Sequence, residues 1–313
     1  MIADDLLEGV EAEGLIAPPA PLVAMLSGGR DSVCMLDLAV RARGAEAVTA
    51  LHVNYGLRDD AGEDERHCAE LCGRLGVALE VERPRRPEGP GNLQAWARDT
   101  RYAAAARLSE ARGATIVTGH TADDQVETIL YRLASSPSRR ALLGMRRRDG
   151  RLARPLLGTT RAETTAYCEQ RGLAWRDDAS NEQPAFARNR LRQGLIPALD
   201  EIHPAARENV LRTAGLLRDE AELLDELVAA ELRGGEGARR GTIALERFAA
   251  LHPALRRLVL QRLADAAAGR PVPGAARFAD QVAGLRRTGT AMLDLGGGVR
   301  AVVEAGTLRA ERP

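Results

Sequence analysis

Residues 22–32 read Leu22-Val23-Ala24-Met25-Leu26-Ser27-Gly28-Gly29-Arg30-Asp31-Ser32. The apolar run Leu22–Leu26 predicts a buried strand. The periodic stretch Asp31–Arg43 predicts a helix, with Gly44 as its C-terminal stop. Between them, two glycines let the backbone adopt positive φ and approach a ligand closely. A helix leaving such a loop points free N–H groups at whatever binds there, which favours a phosphate. Asp31 would repel a bare anion but suits a Mg²⁺ that neutralises both. Two readings stand on these residues alone: a tight strand–helix turn with a Ser/Asp cap, or a phosphate site.

Outward from this stretch the same alternation continues. Strands are predicted at Val48–Val53, Val77–Val81 and Ala114–Val117, and helices at Glu63–Leu75, Asn92–Arg112 and Ala122–Ala134. Arg83–Gly91, rich in Pro, Gly and Arg, reads as a loop. Such alternation predicts an α/β fold, a doubly wound parallel sheet of Rossmann-like type with helices on both faces. Ligands bind such sheets at the carboxyl ends of the strands. Ser27, Asn54 and Gly119 each follow a strand and belong on that rim. Near Pro204 the pattern changes. Glu208–Leu232 reads as a long amphipathic helix, Leu245–Ala266 as helical again, and residues 290–310 as a terminal hairpin turning at Gly296–Gly298. Two domains are expected: 1–203, and a smaller, mainly helical 204–313.

Composition excludes several chemistries. All 44 basic residues among the 313 are arginine. No Walker-type loop, which needs its lysine, and no imine-forming lysine of the chain itself is available. Cys34, Cys68, Cys72 and Cys168 form no CxxC pair, which argues against zinc-ribbon, redox and cluster sites and for free thiols in a reducing cytoplasm. No run of about 18 apolar residues occurs, and no basic stretch followed by an apolar core marks a secretory leader.

A second constellation is Thr118-Gly119-His120-Thr121-Ala122-Asp123-Asp124-Gln125-Val126-Glu127-Thr128. At ~100° per residue, Asp123, Asp124 and Glu127 share one arc of the helix that starts near Thr121. They read either as dipole-favoured acids of a first turn or as a cation site, for metal or amine, with one carboxylate free to act as general base. Arg98 and Arg101 follow Trp96 along another helix. Arg139, Arg140, Arg146, Arg147, Arg148, Arg151, Arg154 and Arg161, then Arg188, Arg190 and Arg192, crowd the region after the acidic helix. This crowding is either a solvated surface or a stripe suited to phosphate backbones and unpaired bases.

The string Ser27–Ser32 resembles the PP-loop signature SGGxDS of ATP pyrophosphatases. Together with HVNYGLR (52–58), NLQAWARDTRY (92–102), GHTADDQVET (119–128), Arg154-Pro155-Leu156-Leu157 and SNEQPAFARNRLR (180–192), it makes residues 20–200 resemble the tRNA(Ile)-lysidine synthetase family. GHxxDDQxET is the most discriminating of these motifs. Tyr55 stands where the family often has His, and Gln94 where it often has Glu. Long members carry a further C-terminal domain beyond the point where this sequence stops.

The resemblance implies an ATP-dependent reaction on the isoleucine tRNA with a CAU anticodon. The C2 oxygen of its wobble cytidine is adenylated with loss of pyrophosphate, and the ε-amine of free L-lysine then displaces AMP. It implies ATP and Mg²⁺ held by Ser27, Gly28, Gly29, Arg30, Asp31 and Ser32, with Asp31 on the metal. Asp124 and Glu127 would bind and deprotonate the amine, and Arg98 or Arg101 would stabilise developing negative charge. Asp123, Asn181, Arg188, Asn189 and Arg192 are the substrate-binding candidates, and the second domain is expected to contact tRNA. A homodimer is left open. The competing functions are a tRNA 2-thiolation enzyme, which needs sulfur-carrying cysteines, an ammonia-dependent amide-forming synthetase, and a non-catalytic nucleotide- or tRNA-binding protein.

Overall fold

The computed structural model describes residues 2–57, 61–87, 92–136, 139–176, 187–233 and 241–312. Its contacts divide the chain into two compact units, 1–215 and 216–313.

The first unit is built on strands β1 (Leu22–Met25), β2 (Val48–Val53), β3 (Ala78–Glu82), β4 (Thr115–Val117), β5 (Arg148–Asp149) and β6 (Leu152–Ala153), in the spatial order β3-β2-β1-β4-β6-β5. All pairings are parallel except β5 with β6. The expected doubly wound parallel sheet is therefore present. Central β1 is buried throughout, as a strand covered on both faces must be. Leu22, Ala24 and Leu26 pack into one core, while Val23 and Met25 pack into another. That period-two split follows from side chains alternating across a strand. Edge strand β3 carries Glu80 and Glu82, charges that discourage further pairing.

Helices α1 (Ile2–Ala12), α2 (Arg30–Arg43), α3 (Ala61–Leu75) and α7 (Arg161–Gln170) contribute to the first of these cores, and α4 (Leu93–Arg112) packs on the other face. Helices α5 (Ala122–Ser135), α6 (Arg139–Leu142), α8 (Ala187–Arg190) and α9 (Ile196–Ile202) complete the unit. The expected stop at Gly113 ends α4 in the left-handed region, and α5 starts where expected, with Thr121 as its cap. Asn92, expected as the first helical residue, instead caps α4 by accepting from Ala95 N. Helices α1, α6, α7, α8 and α9 and the β5–β6 pair have no counterpart among the sequence expectations. Segment 161–170 is mostly polar and buries only Thr164, Tyr167 and Cys168, too few apolar residues to give a helical period. Its readable signal is the capping box Thr160–Glu163. Asp37 of α2, almost fully buried, accepts from the Tyr167 hydroxyl at 2.6 Å and from Arg171 Nε at 3.0 Å, tying α7 to α2.

The division between units falls within α10 (Ala206–Leu232). The second unit holds α11 (Leu245–Ala250), α12 (Pro253–Ala268), α13 (Ala279–Ala283) and strands β7 (Ile243–Ala244), β8 (Thr290–Gly296), β9 (Val299–Glu304) and β10 (Thr307–Glu311), paired antiparallel as β7-β10-β9-β8. Two sequence expectations change here. Leu245–Ala266 is two helices, because Pro253 disfavours helical backbone at His252. His252 is non-helical (φ −52°, ψ 138°) and caps the second helix by accepting from Ala254 N. The terminal hairpin is a three-strand meander whose second turn is Ala305-Gly306, with φ of 47° and 76°.

Candidate active site

Strand order runs one way from β1 to β2 and the other way from β1 to β4. This reversal opens a crevice beyond the carboxyl ends of β1 and β4. The loop Ser27–Gly29 and the segment Thr118–Thr121 leave those two ends side by side.

In the first loop, Gly28 has φ +86°, and a Cβ there would stand 3.4 Å from the Cys68 sulfur. Gly29 is the N-cap of α2, and no side chain caps it. Ser32 Oγ instead folds back, donating to Gly29 O at 2.7 Å and accepting from Ser27 N at 3.1 Å. The loop is thereby held rigid while the positive end of α2 is left to an outside anion.

A cavity of about 600 Å³ lies over this loop. Met25, Leu51, Val53 and Tyr55 form an apolar wall, and Ser27, Gly29, Arg30, Asp31 and Ser32 a polar one. Tyr55 is fixed by donating to Ala97 O at 2.8 Å and by an edge-on contact with Trp96. An apolar slot beside an uncapped helix N-terminus accommodates a flat base attached to phosphates.

The acidic helix enters from β4. Asp124 closes a capping box: one oxygen accepts from Thr121 N at 3.0 Å, and the other accepts from Arg161 Nη2 at 2.6 Å. Burial resists the charge on Asp124, but the Arg161 guanidinium and the Thr121 amide outweigh it and hold the carboxyl below its ordinary value. His120, which also lines the cavity, accepts or donates at Nδ1 with Thr118 Oγ1 at 2.7 Å. Burial pushes its imidazole down to about 4, helped by Arg154, Arg101 and Arg98 and opposed by Asp124. It is therefore neutral near pH 7.

The three carboxylates of α5 are close together, but not as an open cluster. Glu127, 2% exposed, is gripped by Arg161 Nη1 at 3.0 Å and by both Nε and Nη2 of Arg192 at 2.7 and 2.9 Å. Asp123 accepts from Arg161 N at 2.8 Å and Arg207 Nη1 at 2.9 Å. Asp124 faces the main cavity, whereas Asp123 and Glu127 line a small second cavity with Arg207 and Ile196. Arg161 and Arg192 line both. Asp31 is drawn into the same network: its Oδ1 accepts from Thr164 Oγ1 at 2.6 Å and Arg30 Nε at 3.1 Å, and Arg161 Nε lies 3.8 Å from its Oδ2.

Other expected site residues are distributed less tightly. Arg101 lines the cavity, while exposed Arg98 stacks over Tyr102 at 4.9 Å and does not. Arg192 sits in a π-helical turn, Leu191–Leu195, between α8 and α9. Arg188 is exposed on α8, Asn189 is buried there, and neither lines either cavity. Asn181 lies outside the described residues. Within the arginine-rich stretch, Arg154 is buried and Arg161 half-buried, so these two point inward, whereas Arg146, Arg147, Arg148 and Arg151 are exposed. In the sequence Arg161 reads only as part of the arginine stripe, and Thr164, Arg207 and His120 carry no site role. The capping box starting α7 is the signal that would have placed Arg161 at a helix start.

Comparison with known proteins accords with this geometry. Residues 12–199 match the PP-loop domain family. Proteins named tRNA(Ile)-lysidine synthase are similar to the chain. The one from Pseudomonas syringae is 42% identical over 67% of this chain and 48% of its own length. That from Thermus thermophilus is 41% identical, over 69% and 43%. The one from Symbiobacterium thermophilum is 36% identical, over 99% and 69%. The chain thus spans about half the length of the Pseudomonas and Thermus relatives. Among solved structures, the U34-tRNA thiolase NcsA from Methanococcus maripaludis, described with its [4Fe-4S] cluster, shares the fold: TM-score 0.59, 16% identity, 69% of this chain and 79% of that one.

Proposed function

The chain belongs to the tRNA(Ile)-lysidine synthase family of PP-loop proteins, and from that membership we propose that it converts the wobble cytidine of the CAU-anticodon isoleucine tRNA to lysidine. The observation that carries this reading is the meeting, at one strand-order reversal, of the uncapped α2 N-terminus with Asp31 and the acidic start of α5. One half suits a nucleotide triphosphate, the other an ammonium.

ATP is placed with its base against Met25, Leu51 and Val53 and its phosphates on Ser27, Gly29, Arg30 and Ser32. Asp31 is the residue to hold Mg²⁺. This ion is commonly bound by one or two carboxylates together with phosphate oxygens, and Asp31 opens onto the cavity beside the loop. Among the described residues no cluster of three metal-binding side chains exists that would hold an ion without the nucleotide. Bound there, Mg²⁺ would neutralise phosphate charge.

The cytidine must leave the anticodon stack to reach this depth. Its C2 oxygen then attacks the α-phosphorus and pyrophosphate leaves, with Arg101, or Arg98 after a side-chain swing, balancing the charge that develops. The lysine ε-amine attacks C2 and AMP leaves. Asp124 and Glu127, with Asp123 beside them, bind the ammonium and accept its proton. Arg188, Asn189, Asn181 and Arg192 remain candidates for holding the anticodon, and exposed Arg146, Arg147, Arg148 and Arg151 suit tRNA phosphates. The second unit is assigned a tRNA contact, and the cytoplasm is the expected compartment. No described helix is long and apolar enough to cross a membrane.

A thiolation chemistry on the same fold is disfavoured. All four cysteines are buried free thiols, none lines the main cavity, and burial pushes Cys68 up to about 12 and Cys72 up to about 11. Incubation with ATP, Mg²⁺, radiolabelled lysine and the CAU-anticodon tRNA tests the proposal. Label should enter the tRNA, with AMP released only when tRNA is present. Unlabelled tRNA, or AMP formed without tRNA, would overturn it.

A further inference from the structure

Arg161 bonds or lies close to four carboxylates of the site. Its guanidinium reaches Asp124 at 2.6 Å, Glu127 at 3.0 Å and Asp31 at 3.8 Å, and its backbone N–H reaches Asp123 at 2.8 Å. Arg161 also lines both cavities. Two consequences follow. First, the α5 carboxylates are already neutralised, so an ammonium can bind them strongly only if a guanidinium withdraws. Second, the two guanidiniums differ in how firmly they are held. Arg192 closes a two-point fork on Glu127, whereas Arg161 divides its donors between Asp124 and Glu127, lies 3.8 Å from Asp31 and stands next to the phosphate-binding loop. A polyphosphate on that loop offers a fork-shaped cation a stronger partner than any one of them.

We propose that Arg161 is a shared counter-ion that couples the two substrates: nucleotide phosphates draw its guanidinium off Asp124 and Glu127, and Asp124, left without a guanidinium while Arg192 keeps its fork on Glu127, then takes the ammonium. This rests on the assignment of ATP to the loop and of an amine to α5. Arg161 acts here as a positioning residue. Thr164 keeps Asp31 oriented while Arg161 shifts, since its hydroxyl bond to Asp31 does not involve the guanidinium. Coupling between two ligands is reciprocal, and such couplings typically run from ~5- to ~150-fold.

Calorimetric titration of the full chain with lysine, with and without Mg²⁺ and the non-cleavable analogue α,β-methylene-ATP, reads the coupling directly. In the wild type the analogue is expected to tighten lysine binding about tenfold. In Arg161→Ala, lysine without nucleotide is expected to bind as tightly as it does to the nucleotide-loaded wild type, and the analogue is expected to change that affinity less than about twofold. Arg161→Lys keeps one cation but cannot span three carboxylates, and its coupling is expected to fall at least about threefold, which covers the case of an Ala variant that does not fold. Lysine binding with no coupling in the wild type, or undiminished coupling in the variants, overturns the inference and leaves the proposed function standing. A wild type that binds ATP analogue but never lysine removes both.

Discussion

Gly119, which follows β4, lies so close to Asp31 that a Cβ on it would stand 2.4 Å from the Asp31 carbonyl oxygen and 2.9 Å from Ser32 N. The glycine loop and the acidic helix are thus held in register by direct backbone contact, with no room for a methyl group. Gly119→Ala is expected to push the first turn of α2 aside. Overpacking of this kind costs about 1–3 kcal/mol, and a displacement near 1 Å at a reacting site costs ~100-fold in rate. Nucleotide titration and turnover measured together check this, and a variant that binds ATP normally would count against the contact.

Glu127 is a different case. From the sequence alone, Glu127→Ala is expected to abolish lysine incorporation and spare the fold. The structure changes the second half of that expectation. Removing the carboxylate leaves Arg161 and Arg192 facing each other across the buried gap. Cutting one member from a fully buried pair costs ~3–5 kcal/mol. Because Arg161 and Arg192 remain 23% and 33% exposed, about 2 kcal/mol is expected here. Glu127→Gln, which still accepts two hydrogen bonds, should be milder in urea unfolding while losing lysine incorporation equally.

His120 makes stability depend on pH. Its imidazole is pushed from 6.5 to about 4 in the folded chain. Between those values the unfolded state binds the proton and the folded state does not, so stability is complete above pH 6.5 and falls as the pH drops towards 4. At ~1.4 kcal/mol per unit, the loss over that window is roughly 3 kcal/mol. Urea midpoints at pH 7 and pH 4.5 should therefore differ more in the wild type than in His120→Gln, which cannot take up that proton. Equal slopes in the two proteins would contradict the neutral imidazole.

The two-residue turn between β9 and β10 has positive φ at both positions, filled by Ala305 and Gly306. Alanine is poorly suited to that backbone, whereas Asn-Gly is the preferred pair for this turn. Ala305→Asn is expected to stabilise the chain by about 0.5–1 kcal/mol, seen as a raised thermal midpoint. An unchanged or lowered midpoint would mean that the turn relaxes at no cost.

What contiguous residues could determine, the sequence determined. The apolar run 22–26, the glycine pair, the helix start near Thr121 and the stops at Gly44 and Gly113 act through bonds spanning a few residues, so the parallel sheet and the glycine loop at its rim are readable. Asp123, Asp124 and Glu127 were readable as neighbours because helical spacing is itself local. Tertiary structure alone decided what faces them. Arg161 and Arg192 come from 34 to 65 residues downstream, and in the sequence Arg161 looks the same as exposed Arg146 or Arg148. An arginine becomes a buried counter-ion or a solvated surface charge only through what folding brings against it. Strand order at β1 and β4 brings α7 and the turn after α8 onto the acidic helix, and so converts an apparent open cation site into one already occupied by the chain's own guanidiniums.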